Sequence, residues 1–106
     1  MTGEGEFLCL TSKGRRTGLP REIEIWFTRR NGRYYVIAEH GERAQWVRNL
    51  RANASVRVRA AGPAFAARAR VVDAAAEQAL ASEVQARSQE KYGWSDGLIV
   101  ELEPEG

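Results

Sequence analysis

The sequence predicts an α+β fold that is mainly β, with about six short, mostly antiparallel strands and two helices. Three observations predict it. Apolar and polar residues alternate with period two in several short runs, among them Glu22 to Phe27, Ser55 to Arg59 and Phe65 to Val72. Asn31-Gly32 stands between two strand-like runs, and this pair readily takes the backbone angles of a tight hairpin. Two further segments space their apolar residues as helices do, one around Val47 and one around Leu80.

Taken in order, Met1 to Glu6 are polar and Gly-rich and are expected to fray. Phe7 to Leu10 reads as a first strand, with Cys9 between Leu8 and Leu10 as a small buried hydrophobe. After Pro20, Ile23, Ile25 and Phe27 share one face of a strand, and Glu22, Glu24 and Trp26 share the other. Thr28 to Arg30 and Arg33 to Ala38 flank the Asn31-Gly32 turn, so two antiparallel strands are expected there. Glu39-His40-Gly41-Glu42 breaks the pattern and leads into a helix from Arg43 to Ala52. Ala44, Val47 and Leu50 lie on its inner stripe, and Asn53 ends it. Ser55 to Arg59 is a half-exposed strand, and Gly62-Pro63 marks a turn. Phe65, Ala67, Ala69 and Val71 then oppose Arg68 and Arg70 in another strand. Asp73 is suited to cap a helix from Ala74 to about Lys91, with Ala76, Leu80 and Val84 as its buried stripe and Gly93 as its stop. Leu98, Val100 and Leu102 face one way in a last strand. Such a chain either closes into a small barrel or leaves sheet edges for a second subunit to cover. Exposed aromatics such as Trp26 and Trp46 suit an interface or a ligand wall, so a homodimer is expected.

At 106 residues the chain has room for one core, and residues 1–106 are read as a single domain. Hydrophobic residues at 43% and charged residues at 28% place it among ordinary soluble proteins. It carries no run long enough to span a membrane and no signal-peptide pattern, so a cytoplasmic location is expected. The single cysteine excludes an internal disulfide and fits a reducing compartment. One histidine and one cysteine make no metal-ligand spacing, so no metal is expected. A nucleic-acid groove is not expected either, because Glu22, Glu24, Glu39 and Glu42 interrupt any basic surface.

One stretch asks for more than connectivity. Thr11 to Arg21, Thr-Ser-Lys-Gly-Arg-Arg-Thr-Gly-Leu-Pro-Arg, packs four cations, two glycines and three hydroxyls into eleven positions. Glycines let backbone N–H groups come close to an anion, and arginine grips phosphate oxygens in pairs. Lys13, Arg15, Arg16 and Thr17, with Ser12, could therefore clamp the phosphate of a cofactor or nucleotide. The other reading of the same residues is a solvated basic loop.

This stretch resembles the entry segment of the deazaflavin-dependent nitroreductase family, where a run like Gly-Arg-Lys-Ser-Gly-x-Pro-Arg joins two strands. Gln45-Trp46-Val47-Arg48-Asn49-Leu50-Arg51-Ala52-Asn53 is similar to that family's Trp-x-x-Asn-Leu-x-Ala-Asn helix. The two motifs stand in the family's order with a Trp-containing strand between them. The resemblance implies an FMN-binding-like split β-barrel, usually dimeric. It also implies use of the deazaflavin coenzyme F420 for hydride transfer to an electron-poor small molecule such as a quinone, enone or nitroaromatic.

Carried over by residue, the resemblance puts the coenzyme's phosphate tail on Lys13, Arg15, Arg16 and Thr17. It puts Ile23, Ile25 and Trp26 along the ring site, and Ala38, Arg43, Gln45 and Trp46 beside the cofactor. Tyr92 or Trp94 is the nearest equivalent of a late tyrosine that reaches the family's substrate pocket. Glu24 departs from the family, which often has proline there. It is read either as a proton donor with a raised pKa or as an outward glutamate paired with an arginine across the sheet. His40 is read either as a surface residue or as a proton source beside the site. Glu24, His40 and Tyr92 are thus the candidate catalytic residues. FMN on the same fold, its phosphate on Arg15 and Arg16, is the alternative cofactor, and a non-catalytic cofactor- or lipid-binding barrel is the alternative function.

Overall fold

The alternating runs become strands of one antiparallel sheet in the computed structural model, which describes residues 7–105. The fraying expected of residues 1–6 lies outside the described residues. The strands are β1 (Phe7–Lys13), β2 (Pro20–Trp26), β3 (Thr28–Arg30), β4 (Arg33–Ala38), β5 (Ser55–Arg59), β6 (Phe65–Val71) and β7 (Leu98–Pro104). Helix α1 (Gln45–Ala52) enters between β4 and β5, and α2 (Gln78–Tyr92) between β6 and β7. The strand order is β2-β1-β5-β6-β7-β4-β3.

That order makes the fold a barrel with a seam. The end strands β2 and β3 are consecutive in the chain and are separated by Phe27 alone. The seven strands, against about six expected, come from this break. The run from Pro20 to Arg30 does not serve as one hairpin arm. Its first part pairs with β1, from Phe7↔Trp26 to Lys13↔Pro20, while Thr28–Arg30 pairs with β4 around Asn31-Gly32. Asn31 and Gly32 both take positive φ, 53° and 76°, as a tight hairpin turn requires. Beyond Tyr35 the β3 ladder has ended, so Val36 to Ala38 of β4 face β2 across a gap without strand pairing.

Leu8, Leu10, Phe27, Val36, Val58, Val100 and Leu102 fill the barrel, with Leu50 of α1 closing one end. Cys9 is not part of this core. It is half-buried on the outer face, where Arg59 donates to its Sγ at 3.3 Å, because Leu8 and Leu10 take the two inward positions beside it. Outside the barrel, α2 lies against β4 and β7, so that Ala81 and Val84 cover Tyr35, Ile37, Val72 and Ile99. β7 is therefore buried on both faces: Val100 and Leu102 inside, and Ile99 and Glu101 beneath the helix. The buried Glu101 carboxylate accepts from Tyr35 Oη at 2.8 Å and twice from Arg70 at 3.3 Å, which satisfies a charge that burial alone would penalise. Burial and then the hydrogen bond to Glu101 push the Tyr35 phenol up.

Both helices start later than their sequence pattern suggests. Gly41–Arg43 forms a separate 3-10 turn, and Ala44 is extended (ψ 133°), so α1 begins at Gln45 rather than Arg43. Asp73 does cap backbone N–H groups, those of Ala75 and Ala76, but they belong to an isolated turn; α2 begins at Gln78. Ala76 is consequently exposed, and the buried stripe is Ala81, Val84 and Ser88, with Leu80 packed beside it. Gly93 ends α2 with φ 72°, as expected. At Gly97 (φ +145°) a Cβ would stand 2.4 Å from the Ala38 carbonyl oxygen, so glycine lets the start of β7 lie against the end of β4.

One of the further ties between α2 and the barrel is ionic. Arg30 Nε meets Glu83 Oε1 at 2.8 Å, and Arg87 reaches Glu83 Oε2 at 3.1 Å. The hydrogen bond from Arg30, with a smaller part from Arg87, holds the Glu83 carboxyl below the usual carboxylate range. A depressed folded-state pKa gives stability that is present above the unfolded pKa and is lost as pH falls through the folded one. Urea melts followed by circular dichroism should therefore show the wild type losing stability below about pH 5 more steeply than Glu83→Gln, whose profile is flatter over that range.

Candidate functional site

The seam between β2 and β4 opens into a cleft of about 570 Å³. Glu24, Ile25 and Trp26 of β2 line one side and Ile37 and Ala38 of β4 the other. The end of α2 supplies Ser88 and Tyr92, with Trp94 just beyond it, while His40, Ala44 and Trp46 stand on the α1 side. Phe, Tyr and Trp are the largest group in its walls. Trp26 stacks on Tyr92 with centroids 4.5 Å apart and planes 3° from parallel, and Trp94 meets Trp26 edge-on at 6.4 Å. Offset and edge contacts of this kind hold large apolar rings in place where water would otherwise reach them.

The end of α2 also fixes the corner from which the cleft opens. Phe27 N–H donates to Tyr92 Oη at 3.1 Å, and Phe27 O accepts from the same hydroxyl at 2.8 Å and from Lys91 Nζ at 3.0 Å. Tyr92 thus presents its ring to the cleft while its hydroxyl is bound to the main chain.

A second cleft, also about 570 Å³, lies at the other end of β2, against the hairpin loop between β1 and β2. Arg15, Arg16, Arg21 and Arg48 line it with Thr17, Gln45 and Asn49, and among the described residues no carboxylate does. The loop is built rather than loose. Gly14 N–H donates to Leu19 O at 2.8 Å, Gly18 N–H to Gly14 O at 2.7 Å, and Leu19 N–H to Thr17 Oγ1 at 3.2 Å. Gly14 has little room for a side chain, since a Cβ would stand 3.1 Å from Thr17 Oγ1. Asn49 then ties the loop to α1, its buried Oδ1 accepting from Arg15 N–H at 3.2 Å and from Arg15 Nη1 at 3.0 Å. The first turn of α1 adds to the positive character, because Ala44 provides no side-chain cap and no acidic residue sits there. Trp46 lines both clefts and is the wall between them.

The structure therefore brings most of the candidate residues into two groups. Glu24, Ile25, Trp26, Ala38, His40, Trp46 and Tyr92 line the aromatic cleft, and Arg15, Arg16, Thr17, Gln45 and Trp46 line the basic one, as does Ile23, which the resemblance put along the ring. Lys13 and Arg43 are exposed and line neither, and Ser12 turns its side chain into the barrel. Glu24 is exposed, and its neighbour on β1 is Cys9 rather than an arginine. The candidate site residues did not include Asn49, Arg21, Arg48 or Thr28, although Arg21 is one of the four cations of the basic stretch and Asn49 stands in the Trp-x-x-Asn motif. Asn49 carried a signal, for it stands three residues after Trp46 and so shares a helix face with it. Thr28 carried none.

A curled, seamed antiparallel sheet with two helices defines a split β-barrel protein, and solved structures share that fold. The heme storage protein HutZ from Vibrio cholerae aligns with TM-score 0.78 and 23% identity over 95% of this chain and 82% of its own. A FAD-binding protein from Mesorhizobium loti aligns with TM-score 0.76 and 13% identity over 96% and 83%. The F420-H2 dependent reductase FDR-A aligns with TM-score 0.65 and 21% identity over 92% and 94%. No curated protein matches the chain. The family model described as F420H(2)-dependent quinone reductase matches residues 2–96, and the chain belongs to that family.

Replacing Asn49 by alanine removes the acceptor that holds Arg15. The expected result is a loss of about 1–2 kcal/mol in unfolding free energy. Hydrogen exchange at the Arg15 amide should quicken more than at the amides of β5 and β6, which quicken only by the loss in global stability.

Proposed function

We propose that this chain is an F420-dependent oxidoreductase that reduces an electron-poor small molecule such as a quinone, enone or nitroaromatic. The observation that carries this reading is the junction of the two clefts at Trp46: a basic cleft without carboxylates opens beside an aromatic one. A ligand with a planar ring system and an anionic tail fits that pairing. Family membership supplies the coenzyme.

Arg15, Arg16, Arg21, Thr17 and Gln45 would hold the tail, with arginine forks and hydroxyl and amide donors on its phosphate. Asn49 keeps Arg15 in place for that contact. Ile25, Ala38 and Trp46 would flank the ring, and the unpaired strand edges of the seam offer backbone donors and acceptors. When bound, the reduced coenzyme supplies hydride to the acceptor. The surrounding rings of Trp26, Tyr92 and Trp94 exclude water from the transfer and orient a flat acceptor. His40 and Glu24 stand at the cleft with exposed side chains and are assigned to supplying the proton that the reduced product takes up. Tyr92 is assigned a positioning role, because its hydroxyl is engaged by Phe27.

The same reading makes residues 1–106 one barrel domain acting as a cytoplasmic homodimer. The exposed Phe7 and Trp26 beside the cleft support the dimer, since a second copy would cover them. FMN is the second cofactor reading; it is supported by the FAD-binding protein of the same fold, and one phosphate could sit on Arg15 and Arg16.

Equilibrium dialysis with oxidised F420 and, in parallel, FMN tests the reading. F420 should bind tightly and FMN weakly, and Arg15→Ala with Arg16→Ala should weaken F420 binding by about 2–3 kcal/mol. Unchanged affinity in the double variant would remove the clamp. Tight FMN binding would move the protein to the flavin branch, and binding of neither would favour the non-catalytic barrel.

A further inference from the structure

Helix α2 covers the outer face of the sheet over β4 and β7, whereas the outward side chains of β2, β1 and β5 stay exposed or half-buried. Those side chains sort by strand. β2 presents Glu22 and Glu24, β5 presents Arg57 and Arg59, and β1 between them presents Cys9 and Thr11, which are small. The register aligns them in rows, with Glu24, Cys9 and Arg59 in one and Glu22, Thr11 and Arg57 in the next. The acidic and basic columns are therefore two strand spacings, about 10 Å, apart. Among the described residues none of the four charges is in an ion pair. A solvated sheet face gains by setting opposite charges on neighbouring strands. Here a neutral strand keeps them apart, which suits charges that meet another surface.

The pattern says which surface, because it is its own complement. A sheet face can stack on its copy about a two-fold axis that runs along the strands or across them. An axis across the strands would set Glu22 and Glu24 against the same carboxylates, and arginine against arginine. An axis along β1 instead lays each acidic column on the basic column of the other copy, at the same height along the strands. Stacked sheets keep their strand directions within about 30° of each other, and such an axis permits that angle. The next row along holds Phe7 and Trp26, which pair with each other and are 49% and 38% exposed, so an apolar contact continues the charged one.

We propose that the outer face of β2, β1 and β5 docks a second copy of this chain about a two-fold axis along β1. Glu22 and Glu24 of each copy meet Arg57 and Arg59 of the partner subunit. The inference rests on the homodimer reading, gives that dimer its face and orientation, and stands whether or not a coenzyme binds. Phe7, Glu24 and Trp26 also line the aromatic cleft, so the second copy flanks the cleft on its outer side.

Charge reversal tests the face. The wild type should sediment as a dimer at micromolar concentration. Glu22→Arg with Glu24→Arg, and separately Arg57→Glu with Arg59→Glu, should each raise the dissociation constant of the dimer about a hundredfold. The two variants mixed should form a one-to-one heterodimer in native mass spectrometry, since one face is then wholly basic and the other wholly acidic. Circular dichroism shows whether each variant folds. If one does not, Glu22→Gln with Glu24→Gln, which removes the attraction without adding repulsion, should still weaken the dimer about tenfold. A wild-type dimer that these substitutions leave as tight as before overturns the proposed face alone, as does a mixture that stays monomeric. A monomeric wild type overturns the homodimer reading with it and leaves the face to a partner of another kind.

Discussion

The fold depends on how one residue is held. Phe27 joins the two end strands of a seven-stranded sheet, so the curvature of the whole barrel converges on its backbone. Its N–H and carbonyl would both lose strand partners at such a corner. The Tyr92 hydroxyl and the Lys91 ammonium replace them, and Lys91 Nζ also stands 4.3 Å from the centroid of the Phe27 ring. A buried main-chain group without a partner is expensive, which is why the corner is bound to the end of α2. The last turn of a helix that covers the outside of the barrel thus also holds its corner.

Because the closure is at one corner, the strands on either side diverge, and the seam becomes a usable space. β2 and β4 stay close enough to share a cleft but pair with other strands. The hairpin loop between β1 and β2 then sets cationic groups at the far end of the same strand, away from the aromatic rings. Charge and apolar surface are kept apart by one indole, Trp46, and this separation lets each cleft keep its own character. Arginines gathered without carboxylates repel one another, and the bonds from Arg15 to Asn49 show how one of them is restrained.

Much of this was legible in the sequence because it is local. Period-two runs located most of the strands, Asn31-Gly32 located the hairpin, and Gly93 located the end of α2. The basic loop and the Trp46 helix are local motifs, and they link the chain to its family. The departures all have a tertiary cause. Nothing in the alternation of Ile23, Ile25 and Phe27 shows that pairing passes from one strand to another at Phe27. The alternation of Leu98, Val100 and Leu102 says nothing of what covers the other face of that strand, where Glu101 is buried and bonded to Arg70 and Tyr35, both distant in the chain. Asp73 has the chemistry of a helix cap, and it does cap, but the turn it closes is not continuous with α2. Thr28 looks like any strand threonine, because only the folded surroundings reveal that its hydroxyl is unpaired.

All three tryptophans of the chain, Trp26, Trp46 and Trp94, line the aromatic cleft. The tryptophan fluorescence of the protein consequently comes from one place. Emission will report on whatever enters or leaves the seam, with no indole elsewhere to dilute the change. The same concentration of chromophores makes fluorescence a poor witness for the rest of the barrel. A melt followed by emission records when the cleft comes apart, and only a backbone signal records when β5 and β6 do.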